Sequence, residues 1–248
     1  PMRRGSAAPC FHWPARGFSS ATASLFADRM FSPTDWEIIF LTLKIGGAAM
    51  AITLPIAFAL AWILARTSFP GKIILDGIVH LPLVLPPVVT GWLLLLAFAP
   101  NGPIGGWLQS WFGVSVLFKW TGAAIAAGVM ALPLMVRAMR LSIEAVDQRL
   151  ESAARTLGAG RWHVFRTITL PLSMPGILAG LVLGFARSIG EFGATITFVS
   201  NVPGQTQTLP LAIYGALQLP DGEAVVVRLA LVSVALSLAA LVGSDTED

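Results

Sequence analysis

The chain has 248 residues, 55% hydrophobic and 12% charged, with a formal net charge of +3 and a mean hydropathy of +0.76. A soluble globular domain carries about a quarter charged residues, so this share excludes an ordinary water-soluble enzyme and calls for a lipid solvent around its uncharged blocks. The single cysteine, Cys10, excludes an internal disulfide framework or a cysteine metal site, and His12, His80 and His163 stand too far apart to form a ligand pattern.

Residues 1–29 read differently from the rest. Arg3, Arg4, Arg16 and Arg29 face one acid, Asp28, among many serines and alanines, a composition that superficially fits a transit peptide. These residues read as a non-native or disordered extension before a natural start at Met30. From there the apolar runs follow in order. Residues 45–64 carry no charge and would make about 30 Å of helix, one bilayer crossing. A Pro70-Gly71 turn precedes a second run at 81–99, which contains Pro82, Pro86 and Pro87; a spanning helix tolerates such kinks when its neighbours satisfy the freed carbonyls. Trp107, Trp111 and Trp120 follow where an interfacial aromatic belt is expected. Residues 122–136 continue helically past Arg137 as a third span, 174–199 form a fourth interrupted by Arg187 and Glu191, and 224–242 form a fifth. The fold expected is an all-α bundle of about five spans over residues 30–243.

Basic residues set the orientation. Arg66, Lys72, Arg137, Arg140, Arg149, Arg155, Arg161 and Arg166 fall on one side and Lys119 alone on the other, a positive-inside bias that places the N-terminus outside and the C-terminus in the cytoplasm. The acidic tail at 244–248 runs against this trend and suggests a truncated or replaced C-terminus.

The longest inside connection, residues 141–172, carries the most information. Leu150, Ala153, Ala154 and Leu157 share one face of an amphipathic helix. Gly158 and Gly160 can supply the positive φ that ends it. A second short helix presents Trp162, Phe165 and Ile168 and is expected to stop at Pro171. Two short helices joined at glycine suit docking into a partner's groove; they suit equally an interfacial hairpin whose arginines meet lipid phosphates.

The segment resembles the EAA loop of ABC-importer permeases, which reads Glu-Ala-Ala, three residues, Gly, nine residues, Ile-x-Leu-Pro. Here Ser152-Ala153-Ala154, Gly158 and Ile168-Thr169-Leu170-Pro171 keep that spacing. Ser152 stands at the usual acidic position and the acid lies one residue earlier, at Glu151; an i,i+4 pair with Arg155 is the alternative to a partner contact. The resemblance implies that this loop docks onto an ABC ATPase subunit, with Ala153, Ala154 and Gly158 at the interface. Residues 81–91 and 185–201, which contain Gly190-Glu191-Phe192-Gly193, resemble the molybdate permeases. That likeness implies the inner-membrane subunit of a bacterial oxyanion importer, paired as a homodimer and served by a periplasmic oxyanion-binding protein. Sulfate, thiosulfate and tungstate are the alternative substrates, and no nucleic-acid partner is expected.

Arg187 and Glu191, at i,i+4 within a span, can neutralise each other. One reading has Arg187 helping an oxyanion pass, with Ser188 and Thr195 as hydroxyl donors. The other has a structural pair holding the helix to its neighbours. His80 reads as an interface residue rather than a ligand. The chain lacks a Gly-x4-Gly-Lys-[Ser/Thr] phosphate loop, so any ATP hydrolysis belongs to another chain; no cofactor and no catalytic or metal residue is expected in this one. A secondary transporter would lean on Glu191 as its coupling carboxylate, and a membrane enzyme would need a polar cluster that the spans lack.

Overall fold

The computed structural model describes residues 32–245, with side chains described as far as Leu238. The extension at 1–29, and the end of the acidic tail, lie outside the described residues. Everything described is helix or connection. Helix α1 is Pro33–Arg66. It begins in a reciprocal cap: Ser32 N–H donates to Asp35 Oδ2 at 2.9 Å and Asp35 N–H to Ser32 Oγ at 3.2 Å. The Lys44 ammonium lies 4.2 Å from the centroid of the Trp120 ring, a cation–π contact. The uncharged run starts at the very next residue.

The run at 81–99 was expected to be one kinked span. Instead, α2 (Lys72–Val84) and α3 (Pro87–Phe98) meet at 115°. Pro86 and Pro87 together remove two consecutive N–H donors, and the residue before a proline is driven out of the helical region; Leu85 is accordingly extended, at φ −70 and ψ 144. Helix α4 (Gly105–Phe112) leads to α5 (Trp120–Ala145). The loop region holds α6 (Gln148–Thr156) and α7 (Arg161–Val164). A π-turn, Phe165–Thr169, then runs without a break into α8 (Leu170–Ile189). Short helices α9 (Gly193–Val199) and α10 (Leu209–Leu217) precede α11 (Glu223–Asp245).

Three described helical stretches are long and apolar enough to cross a membrane: Pro33–Arg66, Trp120–Ala145 and Arg161–Ile189; the bent α2–α3 pair would make four. The expected fourth span at 174–199 is divided, because the helix ends at Ile189 and restarts at Gly193. The expected fifth lies within α11.

Helix α5 is the hub. In its most apolar 18-residue stretch 67% is buried, against 33% for α1 and 22% for Arg161–Ile189. Its inward faces carry Ala123, Ala124, Ala126, Ala127 and Ala131, small enough for helices to approach closely. Its main partner is α8, which turns Gly176, Gly180 and Gly184 toward it; a Cβ on Gly184 would sit 2.7 Å from Met135 Cγ, and one on Gly176 would strike Ser142. In lipid, where burial of apolar surface drives little, such small-residue stripes supply the van der Waals contact that holds spans together.

Candidate functional site

At the arginine-rich end of the bundle, α6 is tied to the spans through one carboxylate. Asp147 caps α6 by accepting from Arg149 N–H at 2.8 Å. One turn on, Glu151 is the buried residue of a helix that is otherwise exposed except at half-buried Ala154. Its Oε1 accepts from Arg66 Nη2 at 2.7 Å and from Thr169 Oγ1 at 2.8 Å, while Arg155 Nη2 reaches Oε2 at 3.5 Å. Glu151 thus fastens the end of α1, the start of the loop and the π-turn at one point. The Phe165 ring reinforces it, stacking on Trp162 with centroids 5.2 Å apart and meeting Trp62 edge-on at 5.1 Å. The i→i+5 turn accommodates Pro171: the helix widens ahead of the ring, and Leu170 N–H bonds to Phe165 O. Pro171 therefore sits in the first turn of α8 and does not end the second loop helix as expected.

Large apolar side chains stand exposed on this loop among its arginines. Leu157 is 89% exposed and Trp162 67%, with Leu150 and Ala153 also exposed. Gly158 has φ +87 and nothing near its missing Cβ, so it supplies the left-handed turn that reverses the loop. Gly160, at φ −68, does not share that role.

The second polar feature lies at the break between α8 and α9. Glu191 is 2% exposed. Its Oε1 accepts from Ala194 N–H at 2.8 Å, which satisfies a first-turn donor of α9. Its Oε2 is 2.6 Å from Arg187 Nη1, an ion pair without hydrogen-bond alignment. The Arg187 side chain keeps 28% of its surface open. Helix α3 packs on this joint at glycine: a Cβ on Gly91 would lie 2.5 Å from Ala194 O, and one on Gly193 would lie 2.7 Å from Pro87 Cβ. Beside Gly91, the buried Thr90 Oγ1 has no hydrogen-bond partner among the described residues.

These elements match a known family. Residues 51–244 fit the model of the binding-protein-dependent transport system inner membrane component. The chain is 56% identical over 211 residues to the molybdenum transport system permease protein ModB of Escherichia coli K12, covering 85% of this chain and 92% of that one. It is 38% identical over 194 residues to the sulfate transport system permease protein CysT of the same organism, covering 74% and 69%. The crystal structure of a bacterial alginate ABC transporter, in complex with its pentasaccharide-bound periplasmic protein, shares the fold with a TM-score of 0.68 at 21% identity, over 88% of this chain and 80% of that one. The chain is a permease of the molybdenum transport group.

In this permease the positions read from sequence separate into two sets. Ser152, Ala153, Gly158 and Pro171 are exposed on the loop, while Ala154, Ile168 and Leu170 are half-buried at its base. Ser152 donates to its own helix at Gln148 O, 2.9 Å, and does not take the place of the missing acid. At the α8–α9 joint, Ser188 donates to Phe185 O at 2.8 Å and faces α1, where a Cβ on Gly46 would be 3.0 Å from its hydroxyl; Thr195 is buried on α9. His80, read as an interface residue, lies 3.4 Å from Asp76 Oδ1, which also pairs with Arg140 at 3.1 Å. Sequence reasoning missed Arg66 and Thr169 as partners of Glu151. A basic residue at the end of a span looks like a topology signal, and nothing local ties it to an acid 85 positions away. The Gly176, Gly180, Gly184 spacing, by contrast, was a readable signal.

Proposed function

We propose that this chain is the membrane-spanning subunit of an ATP-driven importer for molybdate, working with a separate ABC ATPase, a periplasmic oxyanion-binding protein and a second copy of itself in the bacterial inner membrane. The observation that carries this is its 56% identity to a molybdenum permease along 92% of that protein, against 38% to a sulfate permease along 69%. The chain binds no cofactor; ATP is used by the partner. The arginine-rich end faces the cytoplasm, in keeping with the distribution of basic residues.

The mechanism rests on the clasp. ATP closes the ATPase dimer, and the groove gripping Leu150, Ala153, Ala154 and Leu157 pulls on the loop. Because Glu151 joins the loop to Arg66 on α1 and Thr169 ahead of α8, that pull reaches two spans at once and tips the bundle between two packings. At the α8–α9 joint, Arg187 offers its open edge to a passing anion while Glu191 neutralises most of its charge. A conduit must release its cargo, so weak attraction serves better than a tight site.

The test is reconstitution. Proteoliposomes containing the permease and its ATPase, supplied with the binding protein, should accumulate molybdate only with ATP inside, and excess sulfate should compete poorly. Uptake driven by an ion gradient without the ATPase, and lost on Glu191→Gln, would favour a secondary transporter. Competition by sulfate equal to that by molybdate would move the substrate to the sulfate class.

A further inference from the structure

The loop of this permease has the opposite electrostatic character to one that offers an acid to its motor. Between Asp147 and Thr169 the exposed ionised side chains are Arg149, Arg155, Arg161 and Arg166 against Asp147, four positive less one negative, or +3. Glu151 adds nothing outward, since it is buried and occupied by Arg66 and Thr169. Ser152 is neutral and bonded to its own helix. The recess beside the clasp, a cleft of about 220 Å³, also holds two guanidiniums, Arg66 and Arg155, for the single carboxylate of Glu151. Arg149, Arg161 and Arg166 have no side-chain partner among the described residues, and Arg149 and Arg161 are the chain neighbours of the exposed Leu150 and Trp162.

We propose that this loop is a cationic-rimmed apolar plug, and that the ATPase groove receiving it is lined at its rim by Asp and Glu. The inference rests on the docking role proposed above and adds the chemistry of the partner. An apolar centre with a charged rim is the ordinary anatomy of a reversible interface. Rim charges there set register and encounter rate and reject wrong partners. An ATPase with a basic groove would meet four arginines and no free acid except Asp147, which discriminates against motors built for acidic loops.

The experiment measures the affinity of the separately purified partner ATPase for the permease in nanodiscs. Three permeases are compared: wild type, Arg149→Glu/Arg161→Glu, and Leu157→Asp. Neither arginine touches the clasp, so the double variant keeps the fold. The expected result is a wild-type affinity that falls roughly tenfold between about 50 and about 500 mM salt, and a comparable low-salt loss in the double variant. Lys substitutions at acidic positions of the ATPase groove should restore binding to the double variant. If affinity is indifferent to salt and to charge reversal while Leu157→Asp releases the ATPase, the docking role stands and the acidic groove is overturned. If neither variant releases it, docking itself fails and the inference falls with it. If charge reversal changes only association with discs containing anionic lipid, the arginines serve the membrane surface and the proposal is wrong.

Discussion

Replacing Glu151 by Gln keeps the shape of the side chain and removes its charge, leaving Arg66 buried beside a neutral amide. Breaking a buried ion pair at one partner costs about 3–5 kcal/mol, reduced here because Arg155 opens part of the site to solvent at 53% exposure. The expected outcome is faster proteolysis within Arg149–Arg166 in detergent, with the bundle still inserted and ATP-driven uptake reduced. Thr169→Val removes one neutral donor and should cost about 1 kcal/mol in the same assay. The Arg187–Glu191 pair supplies a second test at this scale. Arg187→Met strands a carboxylate that is 2% exposed and should lower the yield of folded protein sharply. Adding Glu191→Gln should recover much of the yield, because the amide oxygen can still accept from Ala194 N–H. Yields measured by size-exclusion chromatography distinguish this from two independent losses. That Arg187 and Glu191 would meet followed from their spacing in the sequence. That Glu191 would also cap the next helix did not, because the break at Gly190 has no proline to announce it.

At the scale of elements, apolar runs predicted where helices lie but not how they join. The 45–64 run sits inside α1, and the Pro70-Gly71 turn separates α1 from α2 as expected. The Pro86-Pro87 step, however, bends the chain by 115°. Hydropathy reads both sides of such a joint as one continuous run. The cost of burying a polar or apolar group does not report direction. Pro171 misled in the opposite sense: the widened turn from Phe165 absorbs the ring and lets the helix run on. Close helix contact makes the glycines unequal in what they tolerate. Gly91→Ala puts a methyl 2.5 Å from a backbone carbonyl, which cannot rotate away, whereas Gly47 has nothing within 4 Å. Gly91→Ala should lower the unfolding temperature and loosen α3 from α9, while Gly47→Ala should leave the temperature unchanged or slightly raised through better helix propensity. Gly158→Ala tests the loop turn: at φ +87 a Cβ costs roughly 1–2 kcal/mol, so ATPase co-purification should fall without loss of the bundle.

For the whole molecule, driving by a cytoplasmic ATPase requires that the Glu151 loop lie on the inner face of the membrane. Class and family were legible in the sequence because low charge, block-like hydropathy and a spaced loop motif are each set by local composition. Substrate was legible only through likeness, since the Arg187–Glu191 pair at the α8–α9 joint does not by itself encode one oxyanion over another. The sidedness of the loop rests on the distribution of eight basic residues against one, and it decides whether an ATP-burning partner can reach Leu157 at all. The decisive measurement uses a permease in which Cys10 is changed to Ser and Leu157 to Cys. Intact cells and inverted membrane vesicles are then treated with a membrane-impermeant maleimide. Leu157 is 89% exposed, so the thiol is reachable from whichever side it faces. Labelling of inverted vesicles but not of intact cells, with protection on adding the ATPase, is the result predicted. Labelling in intact cells would put the loop on the outer face, beyond the reach of any cytoplasmic ATPase, and would overturn ATP-driven import through this loop.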